Sequence, residues 1–361
     1  MEFALTEDQL LIQDSARSLL AETAGVDRVH AVIKSAAGWD QSLWTALAGD
    51  LGFAGLMVPE QYGGSGLGAV EMALVLEETG SALAVVPFFE TAVLGAQAIL
   101  LAGTEAQRAA LLPELAAGAT KAAFAFTPVA GHTLRLHNGT LSGAADFVTF
   151  GHVADLLIVA TADNSLLAVP ASTPGIEIHR QPNLDLTRPF SRITFNAVAI
   201  GDAAVLGKPG QAAAAIERLL AIAAGLLAAE QMGGAAFCLS STVAYAKQRV
   251  QFGRVIGSFQ AVKHELADMM VLVEAARSAA LYAAAAIDEA DAELFEAAAV
   301  ARVWCSDAYQ HCSAEAIQLH GGIGFTWEHH AHLYFKRARS SATWFGDAAS
   351  HREKLAQIIG L

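Results

Sequence analysis

Arg249 and Gln260 flank a glycine-bearing reversal, Gln251-Phe252-Gly253-Arg254-Val255-Ile256-Gly257, between two long stretches of helical periodicity. A guanidinium and a carboxamide on either side of such a turn can face one phosphate-bearing ligand through charge-assisted hydrogen bonds. Gly253 and Gly257 are expected to make the reversal, because glycine adopts positive φ at no steric cost. A second run, Gln318-Leu319-His320-Gly321-Gly322-Ile323-Gly324-Phe325-Thr326, closes a later helical stretch. Glycines there allow close approach of backbone to a ligand, or serve simply as a helix stop and tight turn. Each segment by itself reads more readily as a solvated helix end or a helix stop with a tight turn.

Other clusters point away from further chemistries. Glu328-His329-His330-Ala331-His332 holds three imidazoles, but neighbouring residues on a helix point apart, so His329 with His332 is the one same-face pair and no metal site is expected. Lys336, Arg337 and Arg339 can receive phosphates, although charges at a helix end more often sit in solvent and complement the dipole, which is the expectation here. No serine lies in a GxSxG elbow, and Cys238, Cys305 and Cys312 form no CxxC pair. Hydrolase, zinc and dithiol chemistry are therefore not indicated, and buried structural thiols are expected.

The elements that position these residues follow from composition and period. With 361 residues, 54% of them hydrophobic, the chain can bury a large core and divide into two or three domains. A net charge of −14, from 36 acidic against 22 basic residues, speaks against a nucleic-acid partner. No uninterrupted apolar run of about 18 residues suggests a membrane span. The acidic start, Met1-Glu2-Phe3-Ala4-Leu5-Thr6-Glu7-Asp8, does not resemble a secretory signal, and a cytoplasmic location is expected.

Thr6-Glu7-Asp8-Gln9 signals a helix start before Leu10, Ile12, Ala16, Leu19 and Leu20. Further helices are expected at 41–51, 69–80, 90–101 and 105–117. From Lys121 to Val205 the texture turns β-branched and alternating, with strands expected at 147–150, 156–161, 166–169, 176–179 and 193–200. Long helices return at 212–249, 258–287 and 292–319, with a shorter one at 347–359, a series that forms an antiparallel bundle. The expected class is α+β, mostly α, with a helical domain at 1–118, a small β domain at 119–206 and a helical bundle at 207–361.

The two signature segments, in this order at the ends of long helices behind a helical-then-β region, resemble those of the acyl-CoA dehydrogenase family. Tyr62-Gly63-Gly64-Ser65-Gly66-Leu67-Gly68, Glu77-Glu78-Thr79-Gly80 and Gly103-Thr104-Glu105-Ala106-Gln107-Arg108 extend the resemblance over nearly the whole chain. It implies FAD-dependent α,β-desaturation of an acyl-CoA: a carboxylate takes the α proton, hydride leaves to the flavin, and electrons pass to an electron-transfer flavoprotein. Such a site needs a positioned base and donors for the developing enolate.

The family's glutamate positions fall on Phe345, in Trp344-Phe345-Gly346-Asp347, and alternatively on Val250; neither side chain accepts a proton. Asp347 stays a candidate base, with helix N-cap as its other role. The family's flavin loop corresponds to Thr127-Pro128-Val129-Ala130-Gly131-His132-Thr133, without its glutamate and Ser-Asp pair. The adjoining strand survives as Phe147-Val148-Thr149, without its tryptophan. Thr127, Val148 and Thr149 are thus the remaining contacts of a degraded half-site. By contrast Arg249, Phe252, Gln260, Gln318, Gly321 and Gly322, with Gln251 beside them, match the residues that reach across the dimer to a neighbour's FAD.

The resemblance therefore implies the base-lacking subunit of an α2β2 assembly with a homologous acyl-CoA dehydrogenase partner, of the actinobacterial type acting on steroid side chains or other bulky CoA thioesters. The turn Asp185-Leu186-Thr187-Arg188 fits that group. A homo-oligomeric dehydrogenase using Asp347, or a flavin-free scaffold, are the competing expectations.

Overall fold

A computed structural model describes residues 4–126, 134–289 and 292–361. The order is helical, then β, then helical, as the sequence leads one to expect. The chain forms two compact units, one of Met1–Lys34, Ala69–Ala84 and Ala224–Leu361, the other of Ser35–Gly68 and Val85–Ala223.

The N-terminal helices are α1 (Glu7–Thr23), α2 (Val26–Lys34), α3 (Gln41–Trp44), α4 (Ala69–Ser81), α5 (Ala96–Ala102) and α6 (Glu105–Ala116). Thr6 caps α1 in a reciprocal capping box with Gln9, the arrangement its sequence signals. The expected helices at 41–51 and 90–101 are there, but each contains a π-helical segment, Thr45–Asp50 and Phe89–Gly95. α2, not anticipated, buries Val29, Val32 and Ile33 on one face.

In the second unit, β1 (Ala122–Ala125), β4 (Leu156–Ala160) and β5 (Leu166–Pro170) form one sheet in the order β1-β4-β5. The other contains β2 (Arg135–His137), β3 (Thr140–Thr149), β6 (Ile176–Gln181) and β7 (Phe190–Ala199) in the order β2-β3-β7-β6. Leu141, Val148, Leu157, Val159, Ile193 and Phe195 meet in the core they share. Apolar faces of two sheets bury one another in this way when strands alternate inward and outward residues.

The remaining elements are α7 (Ala213–Gln248), the hairpin strands β8 (Val250–Gln251) and β9 (Arg254–Val255), α8 (Gln260–Glu289), α9 (Leu294–His320), α10 (Ala331–Ser341) and α11 (Ala348–Ile358). In the first unit α9 packs on α8, α10 and α11, and α1 and α8 pack on α4. Small buried residues, among them Ala276, Ala280 and Ala283 on α8 and Ala297, Ala301 and Ala308 on α9, line these contacts. Among the described residues α8 is long and apolar enough to cross a membrane by length and composition, and Met269, Val273, Ala276, Ala280 and Ala283 on it are buried in this packing.

Glycines set a close crossing between α4 and α7. A Cβ on Gly80 would collide with the backbone carbonyl of Glu230, and one on Gly233 with that of Glu77. The carboxylate of Glu230, beside this crossing, pairs with Arg337 of α10 at 2.9 Å, both side chains being buried.

Candidate functional site

The first signature forms a hairpin. α7 makes its last backbone bond from Arg249 N–H to the Tyr245 carbonyl, and Val250 pairs with Val255 and Gln251 with Arg254. Phe252 and Gly253 are the two turn residues, with φ of 53° and 78°. Positive φ at both positions is the pattern whose twist suits a two-residue hairpin. It is uncommon for a side chain as large as phenylalanine, and Phe252 is 91% exposed. Its exposure keeps it out of the core. Gly257, expected in the reversal, lies beyond it in a short 3-10 turn. An added Cβ there would stand 2.9 Å from the Ala246 carbonyl, so this glycine serves close packing against α7.

Around this hairpin, Arg254 lies over the Phe259 ring at 4.0 Å, and Gln260 opens α8, exposed, with its amide 3.4 Å from His264. Arg249 is exposed, and no described residue engages its guanidinium by hydrogen bond or ion pair. Val250 is exposed in β8.

The second signature stands beside the first. α9 ends at His320, where Gly321 (φ 65°) donates its N–H to the carbonyls of Gln318 and Ile317, and a 3-10 turn spans Gly321–Phe325. Gly324 is packed beneath this turn, where an added Cβ would stand 3.0 Å from His320 and from the Ile317 carbonyl. Gly321 and Gly322 are exposed, with nothing within 4 Å of where a Cβ would stand. Gln318, Ile323, Phe325 and Trp327 are exposed around them. Tyr245 joins the two signatures: its ring stacks on His320 at 4.3 Å, and its hydroxyl donates to the His320 carbonyl at 3.3 Å. Arg249 follows one helical turn after Tyr245, and Gly321 directly follows His320. A free cation thus stands at the same end of the bundle as uncovered glycine backbone, an arrangement suited to a phosphate-bearing ligand.

Between α10 and α11 lies the turn 341–347. Phe345 has φ of 55° and Gly346 of 102°. Arg302, buried in α9, sends Nη2 toward the carbonyls of Ser341 (3.0 Å), Ala342 (3.3 Å), Trp344 (2.8 Å) and Gly346 (3.2 Å). His351 Nε2 donates to the Phe345 carbonyl at 3.1 Å. Asp347 is the N-cap of α11, accepting from the Ser350 N–H at 2.8 Å and the Ser350 hydroxyl at 2.6 Å. These bonds hold its carboxyl below the usual aspartate range and make it a weaker base.

The chain matches the acyl-CoA dehydrogenase N-terminal domain over residues 6–119 and the acyl-CoA dehydrogenase C-terminal domain over residues 212–360. It is 36% identical to "Acyl-CoA dehydrogenase IpdE2" of Mycolicibacterium smegmatis over 354 residues, 98% of each chain. Its fold superposes on a chain of the ChsE4-ChsE5 complex from Mycobacterium tuberculosis with a TM-score of 0.91 at 25% identity, covering 100% of this chain and 99% of that one. A chain of the Tcur3481-Tcur3483 steroid ACAD gives 0.88 at 31% identity, covering 98% of each. The chain belongs to the acyl-CoA dehydrogenase family.

Members of this family are flavoprotein oxidoreductases acting on CH–CH bonds, and they normally bind FAD. An unengaged exposed guanidinium beside open glycine backbone fits the phosphate-bearing part of such a cofactor. Two expected contacts of the β unit, Val148 and Thr149, are less accessible. Thr127 lies outside the described residues; the Val148 side chain is in the shared sheet core, and Thr149 is buried. The bulge before Val148 instead exposes Phe147 (φ 59°), edge-on to Phe190 at 5.9 Å.

The charge run around α10 corrects one expectation. Arg337 is buried against Glu230 rather than solvated, while Lys336 lies over Trp327 at 4.3 Å and Arg339 donates to Gln310. His329 precedes the helix instead of sharing a face with His332: it stacks on His330, while His332 packs on Trp327. Among the described residues no group of three His, Cys, Asp or Glu side chains is arranged to hold a metal. Sequence reasoning passed over Arg302. The signal it left is a single charge inside the apolar run Val300-Ala301-Arg302-Val303-Trp304.

Proposed function

We propose that this chain is the base-lacking subunit of an FAD-dependent acyl-CoA dehydrogenase, and that it completes a flavin site seated on a homologous partner in an α2β2 assembly. The observation that carries this reading is the exposed, unengaged Arg249 at the bundle end where Gly321 and Gly322 leave their backbone uncovered. Among the described residues none answers that cation, and a flavin pyrophosphate on a partner would.

In this scheme Arg249 binds the pyrophosphate, the Gly321–Gly322 backbone and Gln318 approach the nucleotide, and Gln251, Phe252 and Gln260 line the contact from the hairpin. FAD, when bound, supplies the hydride acceptor for α,β-desaturation. The partner supplies the glutamate that takes the α proton, because this chain offers Phe345 and Val250 at the two family positions and Asp347 caps α11, its Oδ1 accepting both cap bonds. Kinship with a steroid ACAD supports a bulky acyl-CoA, such as one bearing a steroid side chain, as substrate. Electrons would leave to an electron-transfer flavoprotein in the cytoplasm.

The test is expression of the chain alone and together with a glutamate-bearing homologue, followed by flavin absorbance and acyl-CoA bleaching. Flavin retained only on co-expression is the expected result. Yellow protein from the chain alone, bleached by an acyl-CoA, would instead mean a self-sufficient homo-oligomer. Colourless protein under both conditions would mean a flavin-free scaffold.

A further inference from the structure

The hairpin after α7 has two unlike faces, and its register assigns a side chain to each. Val250 pairs with Val255 and Gln251 with Arg254, and the Ile256 N–H donates to the Arg249 carbonyl at 2.8 Å, which carries the same pairing one residue further. Directly opposed residues of an antiparallel pair share a face, and neighbours along a strand alternate. Val250 and Val255 therefore lie on one face, and Gln251 and Arg254 on the other, together with Arg249. Because Arg249 stands opposite Ile256, Arg254 is its diagonal neighbour, at a separation of about 7–8 Å that long side chains span.

Two guanidiniums thus share one face of a short hairpin. Both are exposed, and no described residue engages either by hydrogen bond or ion pair. Like charges set this close on one face repel, and an anion that joins them removes the cost.

Arg254 is also held in place. Its guanidinium lies over the Phe259 ring at 4.0 Å, and Phe259 meets Phe252 edge-on at 6.1 Å. The left-handed turn at Phe252 brings that ring to the edge of the platform. Stacking on an aromatic face fixes the plane of a guanidinium and leaves its donors pointing outward in that plane. A fork oriented in advance suits bidentate recognition of a phosphate.

We propose that Arg254 is a second phosphate-binding residue of the donated half-site: Arg249 and Arg254 take one phosphoryl group each of the partner-seated pyrophosphate, and Phe259 is the platform that orients Arg254. This rests on the functional reading above. It adds that the hairpin face is built for two linked phosphates, so that a ligand with a single phosphate leaves one arginine unanswered.

Arginine footprinting of the chain alone tests the site without flavin. Inorganic pyrophosphate should slow phenylglyoxal labelling of Arg249 and Arg254 together, about threefold or more, while sodium chloride at equal ionic strength protects neither. Arg352, paired with Asp307 and also exposed, is the internal control and should label at one rate throughout. The proposal is overturned if Arg254 keeps its unprotected rate while Arg249 is shielded, if neither is shielded, or if sodium chloride protects as well as pyrophosphate. In the flavin-loaded pair Arg254 should be shielded without any addition. Shielding that appears only when coenzyme A is added would assign it to the diphosphate of the substrate and overturn the proposal too.

In the co-expressed pair stripped of flavin, Arg254→Ala should weaken FAD binding about tenfold, and Arg254→Lys, which keeps the charge but loses the fork, about threefold. Phe259→Leu, which removes the platform and leaves the guanidinium, should also cost about threefold. Riboflavin, which carries no phosphate, should bind the parent and all three variants alike. A matching loss for riboflavin would make Arg254 a support of the hairpin and overturn its phosphate role. If the unsubstituted pair takes up no FAD, the functional reading fails, and pyrophosphate protection on the chain alone still judges Arg254.

Discussion

Tyr245 and His320 stack at 4.3 Å, and the Tyr245 hydroxyl holds the His320 carbonyl, so the two signature segments form one structural piece. Tyr245→Phe keeps the ring and removes a single hydrogen bond, a loss of about 1 kcal/mol in stability. Tyr245→Ala removes the stack as well and frees the glycine turn from the end of α7. Flavin retention by the co-expressed pair should fall at least tenfold for alanine and about twofold for phenylalanine, read by absorbance after gel filtration. Equal retention by all three proteins would show that the two segments act independently.

Asp347 is tied to Ser350 by two bonds and stands at the N-terminus of α11. Replacement by alanine should lower stability by about 1 kcal/mol, the usual worth of a capping side chain, whereas asparagine should be nearly neutral. Neither should change kcat of the pair beyond twofold. A fall of a hundredfold or more in kcat for Asp347→Asn, with stability unchanged, would assign the proton-accepting role to Asp347 after all.

Steric fit between α4 and α7 gives a sharper stability prediction. Gly80→Ala and Gly233→Ala each place a methyl group against a backbone carbonyl, of Glu230 and Glu77 respectively, and a carbonyl in a helix cannot rotate away. Each should destabilise by about 3 kcal/mol or more, the upper range for overpacking. Gly25→Ala, which meets nothing within 4 Å, is the control and should lie within about 0.5 kcal/mol of the parent. Chemical denaturation of the three variants is enough to check this.

The long helices were legible because apolar period persists over many turns: α7, expected at 212–249, is Ala213–Gln248, and α9, expected at 292–319, is Leu294–His320. The two signatures were legible as local strings. Their contact through Tyr245 and His320 was not, since it joins residues 75 apart in the sequence. β1 escaped because Ala122-Ala123-Phe124-Ala125 has no β-branched residue and no alternation; burial in the sheet decides it instead. The π-helical turns have no compositional mark. Arg337 reads as a surface charge in sequence, and it is the approach of Glu230 from another helix that makes it a core residue. Gly257 shows the same limit, since a packing glycine and a turn glycine look alike until the neighbouring backbone is in place.

Burial lowers the imidazoles of His330, His332 and His351 to about 4, with Lys336 and neighbouring histidines adding to the effect at His332, and Arg302 at His351. In the unfolded chain these groups titrate near 6.5. Between the two values the unfolded state binds more protons, so stability is full above about pH 6.5 and declines as pH falls toward 4. Glu77 and Asp288, whose carboxyls burial pushes up, act with the opposite sign, so the informative measurement is a difference. His332→Phe keeps a ring against Trp327 and removes one buried, titrating imidazole whose nitrogens have no hydrogen-bond partner among the described residues. Urea unfolding at pH 7.5 and pH 5.0 should show the parent losing stability on acidification and the variant losing measurably less. The same loss in both proteins would mean that His332 is already protonated in the folded state at pH 5.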